Sequence, residues 1–185
     1  SLFSMKEFSF EIKGQSFVTI PTTIFEALGA LLARFQSLKK LRLWSQEHLC
    51  SRMLLMFDQL VNITTLQDLQ MNLQIGGGQI NEVASFTNFA AQQTNLESLY
   101  IVFNPGNVQT QPFKCITKNV KKLTQLKKLY LIIGVCKEAD VESVHEMIFE
   151  LKELETLHFH VDGCFMRSDL FFKKFFIGLF SLKKL

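Results

Sequence analysis

One short pattern of apolar and polar positions returns along the chain: apolar, two polar, apolar, one polar, apolar. It reads Leu38-Lys-Lys-Leu41-Arg-Leu43, Leu66-Gln-Asp-Leu69-Gln-Met71, Leu96-Glu-Ser-Leu99-Tyr-Ile101, Leu126-Lys-Lys-Leu129-Tyr-Leu131 and Leu154-Glu-Thr-Leu157-His-Phe159. Leu182-Lys-Lys-Leu185 begins another copy, and Met5-Lys-Glu-Phe8-Ser-Phe10 is a weaker first one. From Leu38 onward the first leucines lie 28, 30, 30, 28 and 28 residues apart, after an opening interval of 33. The last three residues of each copy alternate with the period of two expected of a half-buried strand.

A second periodicity fills the intervals. Counting back from each first leucine, apolar residues fall near −3, −6, −10 and −13: Leu123, Val120, Ile116 and Phe113 before Leu126, and Leu151, Ile148, Val144 and Val141 before Leu154. Phe35, Leu32, Leu28 and Ile24 precede Leu38 in nearly the same phase, and Leu179, Phe176 and Phe172 precede Leu182. Steps of three and four place one apolar stripe on a helix. Each unit therefore reads as strand, turn, helix and return. A single unit cannot bury its own apolar face, whereas stacked units share a continuous core. Successive strands are then parallel, with helices as crossovers. Helices are about 10 Å across and strands about 4.8 Å apart, so such a stack must curve with its strands inside. Pro21 falls where the first helix begins, a position proline tolerates.

With this period and pattern the chain resembles the ribonuclease-inhibitor type of leucine-rich repeat, over nearly its whole length. The resemblance implies an α/β fold: a curved horseshoe solenoid of about six repeats, with a parallel sheet on the concave face and helices on the convex one. In that family an Asn or Cys three residues beyond the last strand leucine bonds turn backbone. Here those positions hold Gln46, Gln74, Asn104, Gly134 and Asp162, of which Asn104 alone keeps the family residue. Cys136 and Cys164 fit the apolar position that follows, whereas His48, Gly76 and Gly106 depart from it. Residues 1–185 read as a single domain, with no Ser/Gly/Pro-rich linker. The sequence stops on a strand leucine without a polar cap, and the expectation is an excerpt of a longer array.

In this fold the non-leucine strand positions line the concave face. Arg42, Gln70, Tyr100, Tyr130 and His158 form one column across neighbouring strands, and Trp44, Asn72, Val102, Ile132 and His160 the next. These columns hold the chain's single tryptophan and both tyrosines, while the 19 phenylalanines fall mainly on inward or helical positions. Trp, Tyr and Arg dominate binding hot spots, since each brings large area and a polar handle at low entropic cost. Strand preference alone also enriches aromatic residues, but it does not sort polar-tipped rings outward. The two columns are the candidate partner-binding residues.

Composition adds limits. At 185 residues the chain is long enough to bury roughly 70% of its unfolded surface. Hydrophobic residues make up 48% and charged residues 20%, the balance of a soluble globular protein. No run of 18 apolar residues is free of charge, so no membrane span is expected, and Ser1 to Phe10 lack a secretory pattern. Cys50, Cys115, Cys136 and Cys164 have no zinc or redox spacing, which favours free, mostly buried thiols in a reducing, cytoplasmic setting. The net charge of +3 is too small to imply nucleic acid. The lysine pairs 39–40, 127–128 and 183–184 are interrupted by Asp68, Glu97, Glu153 and Glu155, which reads as a solvated mixed-charge surface. Gly76-Gly77-Gly78 lacks the Lys-Ser/Thr of a phosphate loop. His158 and His160 share a strand face, near Asp162 and Cys164 in sequence, without a complete metal ligand set. Cys164 is placed by register in the core, where a thiol is inert. No nucleophile elbow, zincin helix or carboxylate pair is visible. No cofactor, metal or catalytic activity is expected, and no nucleic-acid partner.

The sequence therefore favours a scaffold that binds a protein through the concave sheet face. Two other readings stay open: a structural subunit of a large assembly, held by its helix side as well, and a regulatory repeat segment of an enzyme whose catalytic domain lies outside this chain. Glu26, Arg34, Gln92, Lys118, Lys122, Glu146 and Glu150 on the outward helix faces look soluble and speak against the first of these.

Overall fold

A computed structural model describes residues 4–12, 21–45, 55–60, 62–74, 80–104, 111–134, 138–161, and 173, 176, 177, 179, 180, 182, 184 and 185. The recurring segments are strands: β1 (Glu7–Ile12), β2 (Lys40–Ser45), β3 (Asp68–Gln74), β4 (Ser98–Asn104), β5 (Lys128–Ile133) and β6 (Thr156–Val161). They form one six-stranded parallel sheet in chain order. Between them run α1 (Thr22–Leu32), α2 (Ile80–Ala91), α3 (Gln111–Val120) and α4 (Glu138–Glu150). The fold is thus α/β, with a parallel sheet alternating with helices.

Alternation decides the two faces. Leu41, Leu43, Leu69, Met71, Leu99, Ile101, Leu129 and Leu131 point inward and are at most 1% exposed. They join Phe25, Leu32, Phe86, Ile116, Val120, Val144 and Ile148 of the helices in one continuous core. The helices therefore cover one face of the sheet and leave the other open. Phe57 braces the helix side, with its ring centroid 5.2 Å from Phe86 edge-on and 5.1 Å from Phe89.

Five of the first leucines share one backbone device. The N–H of the first leucine donates to the carbonyl three residues back: Leu38 to Phe35, Leu96 to Gln93, Leu126 to Leu123, Leu154 to Leu151 and Leu182 to Leu179. The next two N–H groups then share one carbonyl of the preceding unit. Gln67 and Asp68 donate to Lys39, Glu97 and Ser98 to Gln67, Lys127 and Lys128 to Glu97, and Glu155 and Thr156 to Lys127, all within 2.8–3.0 Å. The polar groups of these turns are thus satisfied in a way that also fixes strand register.

Three expectations need correction. In α1 the buried stripe is Phe25, Gly29 and Leu32, while Ile24 is 50% exposed and Leu28 half-buried. Spacing of four and then three from Phe25 matches a helical face, and Phe25, not Ile24, occupies the −13 position counted back from Leu38. In the second unit, the described residues wind as a 3-10 helix over Leu55–Gln59 where an α-helix was expected. It buries Met56 and Phe57, and the buried Leu60 and Ile63 beyond it continue in steps of three from Phe57, each N–H donating to the carbonyl three residues back, the period of a 3-10 turn. Phe176 is 52% exposed; Phe172, Phe113 and Val141 have no described side chains. Pro21 takes the N-cap position of α1 at φ −58°, ψ 141°.

Candidate functional site

The open face carries the residues singled out from the sequence, in the expected columns. Arg42 pairs with Gln70, Gln70 with Tyr100, Tyr100 with Tyr130, and Tyr130 with His158. Trp44, Asn72, Val102, Ile132 and His160 are likewise in register. Parallel pairing without a bulge keeps like positions side by side, so equal offsets in sequence become rows in space.

The rings of these rows touch. Tyr100 and Tyr130 have centroids 5.9 Å apart, and Tyr130 and His158 are stacked at 5.9 Å. Trp44 of β2 stacks on Tyr100 of β4, with centroids 5.5 Å apart and planes 29° apart. Two strand spacings, about 9.6 Å, separate β2 from β4. The indole must therefore lean across β3, over the Gln70–Asn72 segment. This accounts for Asn72, expected to be solvent-facing, being only 9% exposed. The result is an unbroken run of four rings, Trp44–Tyr100–Tyr130–His158, spanning β2 to β6. Tyr100 and Tyr130 are half-buried by this mutual packing, and His158 and His160 are exposed.

Beside the rings lies a polar chain. Arg42 Nε donates to Gln70 Oε1 at 2.9 Å, and Gln70 Nε2 lies 3.3 Å from both carboxylate oxygens of Asp68. Lys40 pairs with Glu7 at 3.0 Å. Together with Ser9 these residues border a cleft of about 200 Å³ on the open face. Asp68 and Glu7 were legible as face positions but not as partners, because their contacts need actual side-chain reach.

Two more lysines of the recurring pairs are matched by acids. Lys127 pairs with Glu97 at 3.2 Å, and Lys184 with Glu153. The hydrogen bond and charge of Glu153, with a smaller contribution from Glu155, hold the Lys184 pKa above the usual lysine value.

Among the described residues no group of three His, Cys, Asp or Glu is placed to hold a metal ion. Asp162 and Cys164 lie outside the described residues, as do Cys50, Cys136, Gln46, His48, Gly76–Gly78 and Gly106. Cys115 is free and half-buried. Gln74 and Asn104 form the last rung between β3 and β4. No helix among the described residues is long and apolar enough to cross a membrane. The chain matches no family model and no curated protein.

Proposed function

We propose that the chain is a leucine-rich-repeat solenoid that serves as a protein-binding scaffold, its partner seated on the open, concave face of the sheet. The observation that carries this reading is the run of four rings from Trp44 to His158. Rings packed on one another are held in place before a partner arrives, so little side-chain entropy is lost on binding. Tyrosine hydroxyls and ring edges at the rim of an apolar strip offer area together with hydrogen bonding, the combination found at hot spots. Val102 and Ile132, both half-buried, extend the apolar strip beside the rings.

The test compares capture of partners from extracts of the source cells by the chain and by Tyr100→Ala/Tyr130→Ala, followed by titration of each partner by calorimetry. The double substitution is expected to weaken binding by at least ~2 kcal/mol, about thirty-fold, while circular dichroism stays unchanged. Equal retention of every partner would overturn the reading.

A structural subunit in a larger assembly is the second reading. Exposed apolar side chains on the helix side favour it: Ile24 and Leu31 on α1, and Phe149 on α4, each 45–50% exposed. Glu26, Gln92, Lys118, Lys122, Glu146 and Glu150 are also exposed there, and this dilution by polar residues keeps it second.

A further inference from the structure

The open face is not electrostatically uniform. On β1 to β3 its outward positions include three carboxylates, Glu7, Glu11 and Asp68, beside Lys40 and Arg42. Lys40 is held by Glu7, and Arg42 is tied through Gln70 to Asp68. On β4 to β6 the outward positions carry no carboxylate at all. They present one ammonium (Lys128), two imidazoles (His158, His160), two phenols (Tyr100, Tyr130), hydroxyls and aliphatic groups. No acid among the described residues forms an ion pair with Lys128. In the entry turns Glu97 and Glu153 are paired with Lys127 and Lys184, and the charge of the exposed Glu155 acts on Lys184.

This half of the face is therefore rich in donors and carries no anion at its outward strand positions. The rings enforce the same preference. Their faces are turned toward one another at 26–32°, so what remains for a partner is the ring edge, the positive end of the aromatic quadrupole, and the hydroxyl. Faces packed against one another within the row are not open to the bases of single-stranded nucleic acid, which stack π-face on π-face.

From this, and resting on the scaffold reading above, we propose that the β4–β6 half of the face receives an acidic peptide segment of the partner protein. Its carboxylates lie along Lys128 and the tyrosine hydroxyls, and its apolar side chains lie against Val102 and Ile132. A rim cation of this kind steers association and makes it salt-dependent.

The experiment titrates the full chain, by fluorescence anisotropy, with three fluorescein-labelled probes: a peptide of alternating glutamate and tyrosine, the same peptide with lysine for glutamate, and a single-stranded oligonucleotide. The glutamate peptide is expected to bind at least about tenfold more tightly than either alternative, with affinity falling as salt rises. Lys128→Glu should weaken it about tenfold, while Lys118→Glu, the same charge change on the exposed side of α3, should leave it unchanged. No measurable binding of the glutamate peptide, equal or tighter binding of either alternative, or equal sensitivity to Lys118→Glu and Lys128→Glu would overturn the proposal. Tyr100→Ala/Tyr130→Ala separates the two readings. If it weakens whichever probe binds, the aromatic row stands as a binding surface even where the acidic partner fails. If it changes none of them, both fall.

Discussion

Adjacent residues on β4 have opposite tasks. Leu99 is fully buried, whereas Tyr100, one position on, faces away from the core and packs on Trp44 and Tyr130. Leu99→Ala is expected to cost about 2–5 kcal/mol by leaving a cavity, read as a lower denaturant midpoint. Tyr100→Ala leaves the core intact and should shift the midpoint far less; equal losses would mean that the row of rings holds the fold. Gly29 poses a different problem. In the middle of α1, Gly→Ala ordinarily gains roughly 0.5–1 kcal/mol in backbone entropy. Here a Cβ would lie 2.8 Å from the Met56 carbonyl oxygen and 3.0 Å from Gln59 Cβ. Relief requires α1 to move off the 3-10 helix, and overpacking of this kind costs about 1–3 kcal/mol. Gly29→Ala is therefore expected to destabilise by about 1–2 kcal/mol in urea unfolding, and a stabilised protein would contradict the close crossing.

Between elements, the interior is stitched by side chains as well as by apolar contact. Gln93 occupies the −3 position, apolar in the other units, and is fully buried; its Nε2 donates to the Ile63 carbonyl of the preceding unit at 2.6 Å. Thr65 Oγ1 reaches the Leu38 carbonyl at 2.7 Å, and Asn95 Nδ2 the Thr64 carbonyl at 3.1 Å. On the helix side Asn119 of α3 donates to Thr87 Oγ1 at 3.0 Å and Asn88 Oδ1 at 3.2 Å of α2, and accepts from Lys122 at 2.8 Å. With Asn119 and Thr87 both buried, removing one partner leaves a desolvated polar group. Asn119→Ala should cost about 1–3 kcal/mol. A double-mutant cycle with Thr87→Val should return a coupling of about 0.5 kcal/mol or more; strict additivity would show that the two side chains do not act together. None of this stitching was legible, because a repeat frame reads Gln93 and Asn119 as ordinary polar exceptions. The strands were legible, because a period of two repeated at 28–30 residues has no helical alternative. The inward residue at the start of α1 was not, because two apolar residues adjoin there: Phe25, at −13 from Leu38, is buried, while Ile24, at −14, is exposed.

At the scale of the whole molecule, the order β1 to β6 repeats the order in sequence, and each unit bonds backbone to the unit before it. That is why both columns of the candidate site emerged from counting alone: in-register parallel pairing turns equal offsets into neighbours. The bridge from Trp44 to Tyr100 did not emerge, since it skips a strand and depends on indole length rather than on register. The burial of Asn72 follows from that bridge and was hidden with it. Nearest-neighbour construction also predicts how stability is distributed. Interior units are supported on two sides, and in a quasi-one-dimensional stack protection should grow with the number of supported neighbours. β1 pairs with β2 alone among the described strands, and its inward residues Phe8, Phe10 and Ile12 are only partly buried, whereas Leu129, Leu131 and Ile133 of β5 are at most 1% exposed. Native-state hydrogen exchange of the 185-residue chain should therefore show the slowest amides on β3 to β5. Protection on β1 should be lower, and Leu129→Ala should accelerate exchange on β4 and β6 more than on β1. Uniform protection across all six strands, with β1 responding as strongly as β4, would instead mean that the sheet opens as one cooperative block.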